Sequence, residues 1–329
     1  KKDHTRTSTA IEEVDRVTGG GFVKGSVYLL SGEPGIGKST LVAMMAAKIA
    51  SEKNSVLYVS GEESSNQLSA RFARLKLSTD HTNYLESYPL EHILDVVKKE
   101  TPVMVIIDSI QTIGSVNVES PAGTPTTLRY IASTLLEHAK KTETIFVLIG
   151  QVTKDGSVAG PKLLEHLVDV VLFMEGDSSH AYRLLRSRKN RFGTTDEVGV
   201  FEMTSDGLTT VENPSQLFLQ EHSQAPGSAI TAVHEGSRAF LIEVQALVEK
   251  SNFPTPVRRA HGFDQNRLQM LLAVLSKRAN ISFSNQDVYI NIAGGLKIKD
   301  PATDLAVCAA LLSAKANTPL DSQSVFIGE

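Results

Sequence analysis

Wholly apolar runs alternate with amphipathic stretches through the first part of this chain. Residues 27–31, 55–60, 103–107, 144–150 and 168–174 are short and apolar at nearly every position. Between them, residues 40–50, 64–76, 90–99 and 128–140 repeat apolar positions at helical spacing, with Leu68, Phe72 and Leu75 sharing one face. The third of these helices is expected to stop before Pro102, because proline disfavours a helical residue ahead of it. Strands apolar on both faces, alternating with helices, predict an α/β domain whose mainly parallel sheet is covered on both sides. Residues 1–24 are polar and end in Gly19-Gly-Gly-Phe-Val-Lys-Gly25, which reads as a flexible lead-in.

Beyond residue 182 the pattern changes. Residues 182–187 and 198–203 read as a strand and a returning strand, with Lys189-Asn-Arg-Phe-Gly193 at the tip between them. Val211-Glu-Asn-Pro-Ser215 is the expected boundary, giving a lead-in (1–24), an α/β domain (25–213) and a second domain (214–329). In the second domain, residues 229–233, 240–248 and 287–292 read as strands and residues 267–277 and 304–315 as helices, an α+β pattern.

Composition narrows the classes. The 329 residues are 41% hydrophobic and 21% charged, as in a soluble globular protein long enough for two domains. A net charge of −4 does not announce nucleic acid, although a cationic channel can sit on an acidic protein. A single cysteine, Cys308, excludes an internal disulfide and a cysteine-rich zinc site within this chain, and fits a reducing, cytoplasmic setting. No apolar run is long enough to span a membrane. The chain opens on Lys1 and ends at Glu329 after Phe-Ile-Gly, so both ends are expected to have been cut from something longer.

The strand at 27–31 leads into Gly32-Glu33-Pro34-Gly35-Ile36-Gly37-Lys38-Ser39-Thr40, which fits G-x-x-x-x-G-K-[ST] at the head of a helix. Glycines let successive N–H groups turn inward onto phosphate oxygens, and the helix start adds its positive end. Lys38 is expected to reach the β- and γ-phosphates of ATP, and the Ser39 hydroxyl to hold Mg²⁺. Asp108, ending an apolar strand, is the expected second acidic element, orienting Mg²⁺ through water. Glu62, favoured over Glu63, ends another strand, where a carboxylate can polarise the attacking water. Gln151 at a further strand end is a candidate γ-phosphate sensor. Lys189 and Arg191 suit insertion into a neighbouring subunit's site, where cations neutralise charge on the γ-phosphate.

The run Thr18-Gly-Gly-Gly21, the glycine-rich loop, Ser60-Gly-Glu-Glu-Ser64, Ile107-Asp-Ser-Ile-Gln-Thr112, Val152-Thr-Lys-Asp-Gly156, Leu164-Glu-His166, Lys189-Asn-Arg-Phe-Gly193 and Gly199-Val-Phe-Glu-Met203 resembles the RadA/Sms family of bacterial recombination and repair ATPases. The resemblance covers nearly the whole chain. It implies a RecA-type core, a hexameric ring like that of DnaB-type helicases, ATP-driven branch migration of DNA, a recombinase partner and a bacterial cytoplasmic location. It also implies the catalytic glutamate at Glu62, the Walker B acid at Asp108 and the trans-acting pair at Lys189 and Arg191. Three departures stand out: the family's four-cysteine zinc finger is absent from this chain, Gln151 stands where histidine is expected, and residue 329 falls inside the family's last domain.

That last domain resembles the Lon protease fold. Ala302, in Asp300-Pro-Ala-Thr-Asp304, occupies the place of the serine nucleophile, so an inactive scaffold is expected. DNA contact is expected to be backbone-led and sequence-tolerant, through Lys154 and Lys162 in the loop after Gln151, through Arg129, and through Arg258 and Arg259 of the second domain, with no tryptophan to stack on bases. Two other classes fit part of the pattern: an ATP-dependent Lon-like protease, opposed by Ala302, and a KaiC-like regulatory ATPase or autokinase, suggested by Glu62-Glu63 but lacking a duplicated ATPase domain.

Overall fold

A computed structural model of the chain describes residues 5–86, 89–151, 160–176, 182–219, 224–295 and 298–329. Two compact units divide it, Lys1–Thr210 and Val211–Glu329; the sequence pattern puts that division after residue 213.

The first unit opens with β1 (Arg6–Thr7), α1 (Glu12–Thr18) and β2 (Phe22–Val23), the two strands pairing antiparallel. This part departs from the flexible lead-in expected of it. Ile11, Val14 and Val17 recur at helical spacing and are buried, and the buried Glu13 carboxylate accepts the Val200 N–H at 2.8 Å. Arg6 donates to the carbonyls of Thr18, Gly21 and Phe192 at 2.7, 3.1 and 2.9 Å, which closes the glycine turn over the helix.

There follow β3 (Val27–Gly32), α2 (Lys38–Ile49), β4 (Val56–Ser60), α3 (Ser65–Arg74), β5 (Thr82–Glu86), α4 (Leu90–Glu100), β6 (Met104–Asp108), α5 (Pro125–Thr142), β7 (Ile145–Gln151), α6 (Gly160–Glu165), β8 (Val170–Glu175), β9 (Tyr182–Asn190), β10 (Val198–Thr204) and β11 (Gly207–Thr210). One sheet takes β3 through β11 in the order β11-β10-β9-β8-β3-β7-β6-β4-β5. The six strands from β8 to β5 are parallel, and β9, β10 and β11 extend the sheet antiparallel.

Every residue of β3, β4 and β6 is buried, because helices cover both faces. The period-two alternation of a strand sorts the side chains. Tyr28 and Leu30 face a core with Leu41, Met45, Leu68 and Phe72 of α2 and α3, while Val27 and Leu29 face one with Ile93, Val97, Leu128 and Leu135 of α4 and α5. Local signals start the helices: Ser64 and Gln67 form a reciprocal capping box on α3, and Pro125 follows the Thr124 cap of α5.

The second unit contains α7 (Pro214–Phe218), β12 (Ser228–Glu235), β13 (Arg238–Lys250), β14 (Arg258–His261), α8 (Gln265–Arg278), β15 (Gln286–Ile292) and α9 (Asp304–Ala316). Its sheet runs β12-β13-β15-β14, with only the β14–β15 pair parallel. Leu268, Leu271, Leu272 and Leu275 of α8 and Ala306, Val307, Ala310 and Leu311 of α9 are buried apolar residues of its helices.

Candidate active site

The glycine-rich loop joins the carboxyl end of β3 to the start of α2. Gly32 and Gly37 fix its path through backbone geometry. Gly32 has φ 154°, and a Cβ there would meet the Met174 carbonyl oxygen; Gly37 has φ 115°, and a Cβ there would lie 2.7 Å from the Met203 methyl. With Gly37 as its cap, α2 begins without a side-chain hydrogen bond, so its first N–H groups and positive dipole end face the loop. Ile36 is buried, and Arg183 Nε holds its carbonyl at 3.1 Å, while Glu33, Pro34 and Gly35 are exposed. The buried Lys38 ammonium donates to the Gly32 and Glu33 carbonyls at 2.9 and 2.8 Å. Burial lowers its pKa, and Asp108 and Glu62 oppose that shift. Its charge therefore looks into the loop where phosphates would sit.

The neighbouring strands bring their carboxyl ends to the same edge. Asp108 ends β6, Gln151 ends β7, and Glu62 lies two residues past β4. A cleft of about 660 Å³, its open mouth included, is lined by Pro34, Gly35, Gly37, Lys38, Ser39, Thr40, Glu62, Arg71, Asp108, Ile149 and Gln151. That volume suits a nucleotide-sized ligand. The buried Asp108 accepts the Tyr58 hydroxyl at 2.8 Å; burial raises its pKa, against hydrogen bonds from Ser39 and Tyr58 and the charge of Arg71. Glu62 accepts the Ser109 hydroxyl at 2.6 Å and the Gln151 amide at 3.1 Å. Glu62 and Gln151, read separately from the sequence, thus form one hydrogen-bonded pair.

No cluster of three or more His, Cys, Asp or Glu among the described residues could hold a metal alone. Mg²⁺ needs none, since it is commonly held by one or two protein oxygens together with phosphate oxygens and water. Ser39 and Asp108, which line the cleft together, supply that kind of donor set.

Arg71 is absent from the residues that the sequence pattern singles out. It projects from α3 on the flank that carries Leu68 and Phe72, and a cation at helical spacing among core-facing positions is the signal that could have found it. Its Nη2 pairs with Glu63 Oε1 at 2.5 Å and its Nη1 stands 4.0 Å from Asp108 Oδ2. Glu63, raised in pKa by burial against the opposing charge of Arg71, is occupied with this arginine, which leaves Glu62 as the carboxylate turned to the cleft.

Lys189 and Arg191 lie elsewhere. Lys189 sits on β9 opposite Val171, not at the tip expected from the sequence, because the ladder continues to Asn190 and the turn begins only at Arg191. Its ammonium donates to the carbonyls of Glu165, His166 and Val168 at 2.9, 3.1 and 2.8 Å, closing the end of α6. Burial and the neighbouring Arg191 lower its pKa. Arg191 is half exposed (52%) and pairs with Asp169 at 3.1 Å. The other Asp169 oxygen accepts the N–H of Val27, the first residue of β3. Arg191 therefore sits at the amino edge of the sheet. At about 3.3 Å per strand residue, the length of β3 puts about 17 Å between that anchor and its own glycine-rich loop, farther than the side chain reaches.

Of the expected DNA contacts, Lys154 lies outside the described residues. Lys162 on α6, Arg129 on α5 and Arg259 on β14 are exposed. Arg258 departs from the expected free cation. Its guanidinium donates to the carbonyls of Val257, Phe283 and Gln286, which ties edge strand β14 to the segment entering β15.

A glycine-rich loop between a buried strand and a helix start, with carboxylates on the adjoining strand ends, defines a RecA-like P-loop ATPase. An AAA domain family matches residues 3–157. A solved ATPase domain shares the fold, with a TM-score of 0.54 at 14% identity over 64% of this chain and 94% of that one. Among curated relatives, the DNA repair protein RadA of Rickettsia bellii (strain RML369-C) is 52% identical over 99% of this chain and 74% of its own length. The RadA proteins of Aquifex aeolicus (strain VF5) and Bacillus subtilis (strain 168) are 45% and 44% identical, over 100% and 99% of this chain and 74% and 72% of theirs. The chain belongs to the DNA repair protein RadA family.

Proposed function

We propose that this protein is an ATP-driven DNA motor of recombination and repair, working as a ring, hexameric as in DnaB-type helicases, in which each nucleotide site is completed by the neighbouring subunit. The observation that carries this reading is the position of Arg191, exposed at the sheet edge remote from its own glycine-rich loop. A cation so placed has no task at its own site and suits the site of an adjoining copy.

Within one chain, Lys38, the loop amides and the start of α2 bind the phosphates of ATP. Mg²⁺, when bound, would supply positive charge that offsets the charge developing on the phosphates. Ser39 and Asp108 are the residues that would hold it, Asp108 through water. Glu62, oriented by Ser109 and Gln151, orients and polarises the attacking water. The neighbour's Arg191 stabilises the γ-phosphoryl group in transfer. Lys162, Arg129 and Arg259, with Lys154, contact DNA through its phosphates.

The peptidase alternative finds no nucleophile at the position where the resemblance to Lon proteases would put one. Ala302 has no reactive atom; Thr303 is buried and its hydroxyl donates to the Asp300 carbonyl at 2.8 Å; Cys308 has its pKa pushed up to about 11 by burial and Asp304, which keeps it protonated. ATP turnover measured with and without single-stranded DNA, beside casein cleavage and self-phosphorylation, tests the assignment. Turnover stimulated by DNA and lost in Lys38→Ala is expected, with neither of the other activities. Turnover indifferent to DNA would contradict the motor reading.

A further inference from the structure

Arg71 has no part in the scheme above, yet its guanidinium lines the same cleft as Lys38, Ser39, Glu62 and Asp108. Nη2 is satisfied by Glu63, but Nη1 is buried with no hydrogen-bond partner among the described residues. A buried donor left unpaired costs more stability than a typical hydrogen bond contributes, so the position calls for an acceptor. Asp108 Oδ2 is 4.0 Å from Nη1, beyond hydrogen-bond reach, and it already accepts from Tyr58. The side chain cannot swing freely to find another acceptor, because the 2.5 Å bond to Glu63 fixes one arm of the fork. What the free arm lacks is an anionic oxygen at the end of the cleft held by Asp108 and Glu62. In a site whose loop wraps the inner phosphates, that end belongs to the terminal phosphate.

We propose that Arg71 is a further catalytic-site residue that contacts the γ-phosphate of nucleotide bound in its own subunit, and so lets the site distinguish ATP from ADP. The inference rests on the nucleotide site proposed above. It gives the cleft a cis cation beside the trans Arg191, and the two differ in what they need. Arg71 acts in an isolated chain, whereas Arg191 requires a neighbour.

The test is calorimetric binding of Mg-ADP and of the non-hydrolysable β,γ-imido analogue of ATP. Charge-assisted hydrogen bonds are the strong ones, and losing one amounts to about 10- to 100-fold in affinity. Arg71→Gln is expected to weaken the analogue by that factor and ADP by less than about threefold. Arg71→Lys, which keeps the charge but not the fork, is expected to recover part of the loss. Because Arg71→Gln leaves Glu63 unpaired, the double variant Glu63→Gln/Arg71→Gln repeats the measurement with a neutral rim and is expected to show the same split. Equal weakening of both nucleotides would mean that Arg71 only supports Asp108, and would overturn the assignment. Unchanged analogue affinity would overturn it too. Wild-type protein that binds neither nucleotide would remove the nucleotide site itself, a failure distinct from the loss of Arg71 alone.

Discussion

Replacing Arg191 with alanine separates the assembly from the fold. In the isolated chain this arginine makes one ion pair, with Asp169, at a half-exposed position. Screened by solvent, such a pair contributes about 0–1 kcal/mol. Asp169 keeps its bond from the Val27 N–H, so the carboxylate retains a hydrogen-bond partner. For a unit of about 200 residues, the melting temperature should fall by at most about 2–4 °C. The catalytic loss should be of another order, because arginine fingers contribute about 10³ to 10⁵ in rate. ATP binding should survive, since Arg191 lies about 17 Å from its own loop by the length of β3. The decisive assay dopes wild-type protein with Arg191→Ala under conditions of subunit exchange, verified by energy transfer between labelled chains. Turnover per wild-type subunit should fall as the variant fraction rises, because more wild-type sites then face a neighbour without the arginine. A figure constant at every ratio would mean that Arg191 acts in cis or not at all, and would refute the reasoning.

Other outcomes follow from the same geometry. Lys38→Ala should abolish hydrolysis and weaken ATP binding, checked by phosphate release and nucleotide titration, since neither Arg183, tied to the Ile36 and Tyr182 carbonyls, nor Arg71, tied to Glu63, stands in the loop itself. Asp108→Asn should remove turnover yet raise the melting temperature at neutral pH. Burial raises the Asp108 pKa in the native state, so the folded protein binds that proton more readily than the unfolded chain. Stability from this group is therefore lost as pH rises from its unfolded toward its native pKa, and the neutral amide escapes that loss. Thermal unfolding of both proteins between pH 4 and pH 7.5 should show the two curves converging at the acid end. Lys154→Ala, if the lysine touches one phosphate, should make the slope of log affinity against log salt shallower by about 0.7 on single-stranded DNA; an unchanged slope removes it from the contact.

What the sequence disclosed, and what it hid, has physical reasons. The glycine-rich loop between β3 and α2 was legible because glycine, lysine and serine stand at fixed spacing between an apolar strand and a helix start. The parallel sheet was legible because β3, β4 and β6 are apolar at almost every position, as only strands covered on both faces can be. Helix α1 was hidden by its seven-residue length and by three acidic residues in its first turn, although Val14 and Val17 carry the apolar spacing. Strand β5 was hidden by polarity, for Thr82–Glu86 lies at the sheet edge where no residue is fully buried. Lys189 was misplaced because a basic residue beside a glycine turn looks like a tip, whereas the ladder holds it and three carbonyls take its ammonium. Arg71 was hidden because its partners, Glu63 and Asp108, come from two different strand ends, and only the strand order brings them together.

Movement of a branch point in a three-stranded DNA junction, followed in real time with ATP, tests the central claim most directly. The account predicts branch movement by the wild-type protein that stops when ATP is replaced by its β,γ-imido analogue and is absent in Lys38→Ala. Steady ATP hydrolysis with a stationary branch, or equal movement with the non-hydrolysable analogue, would contradict it.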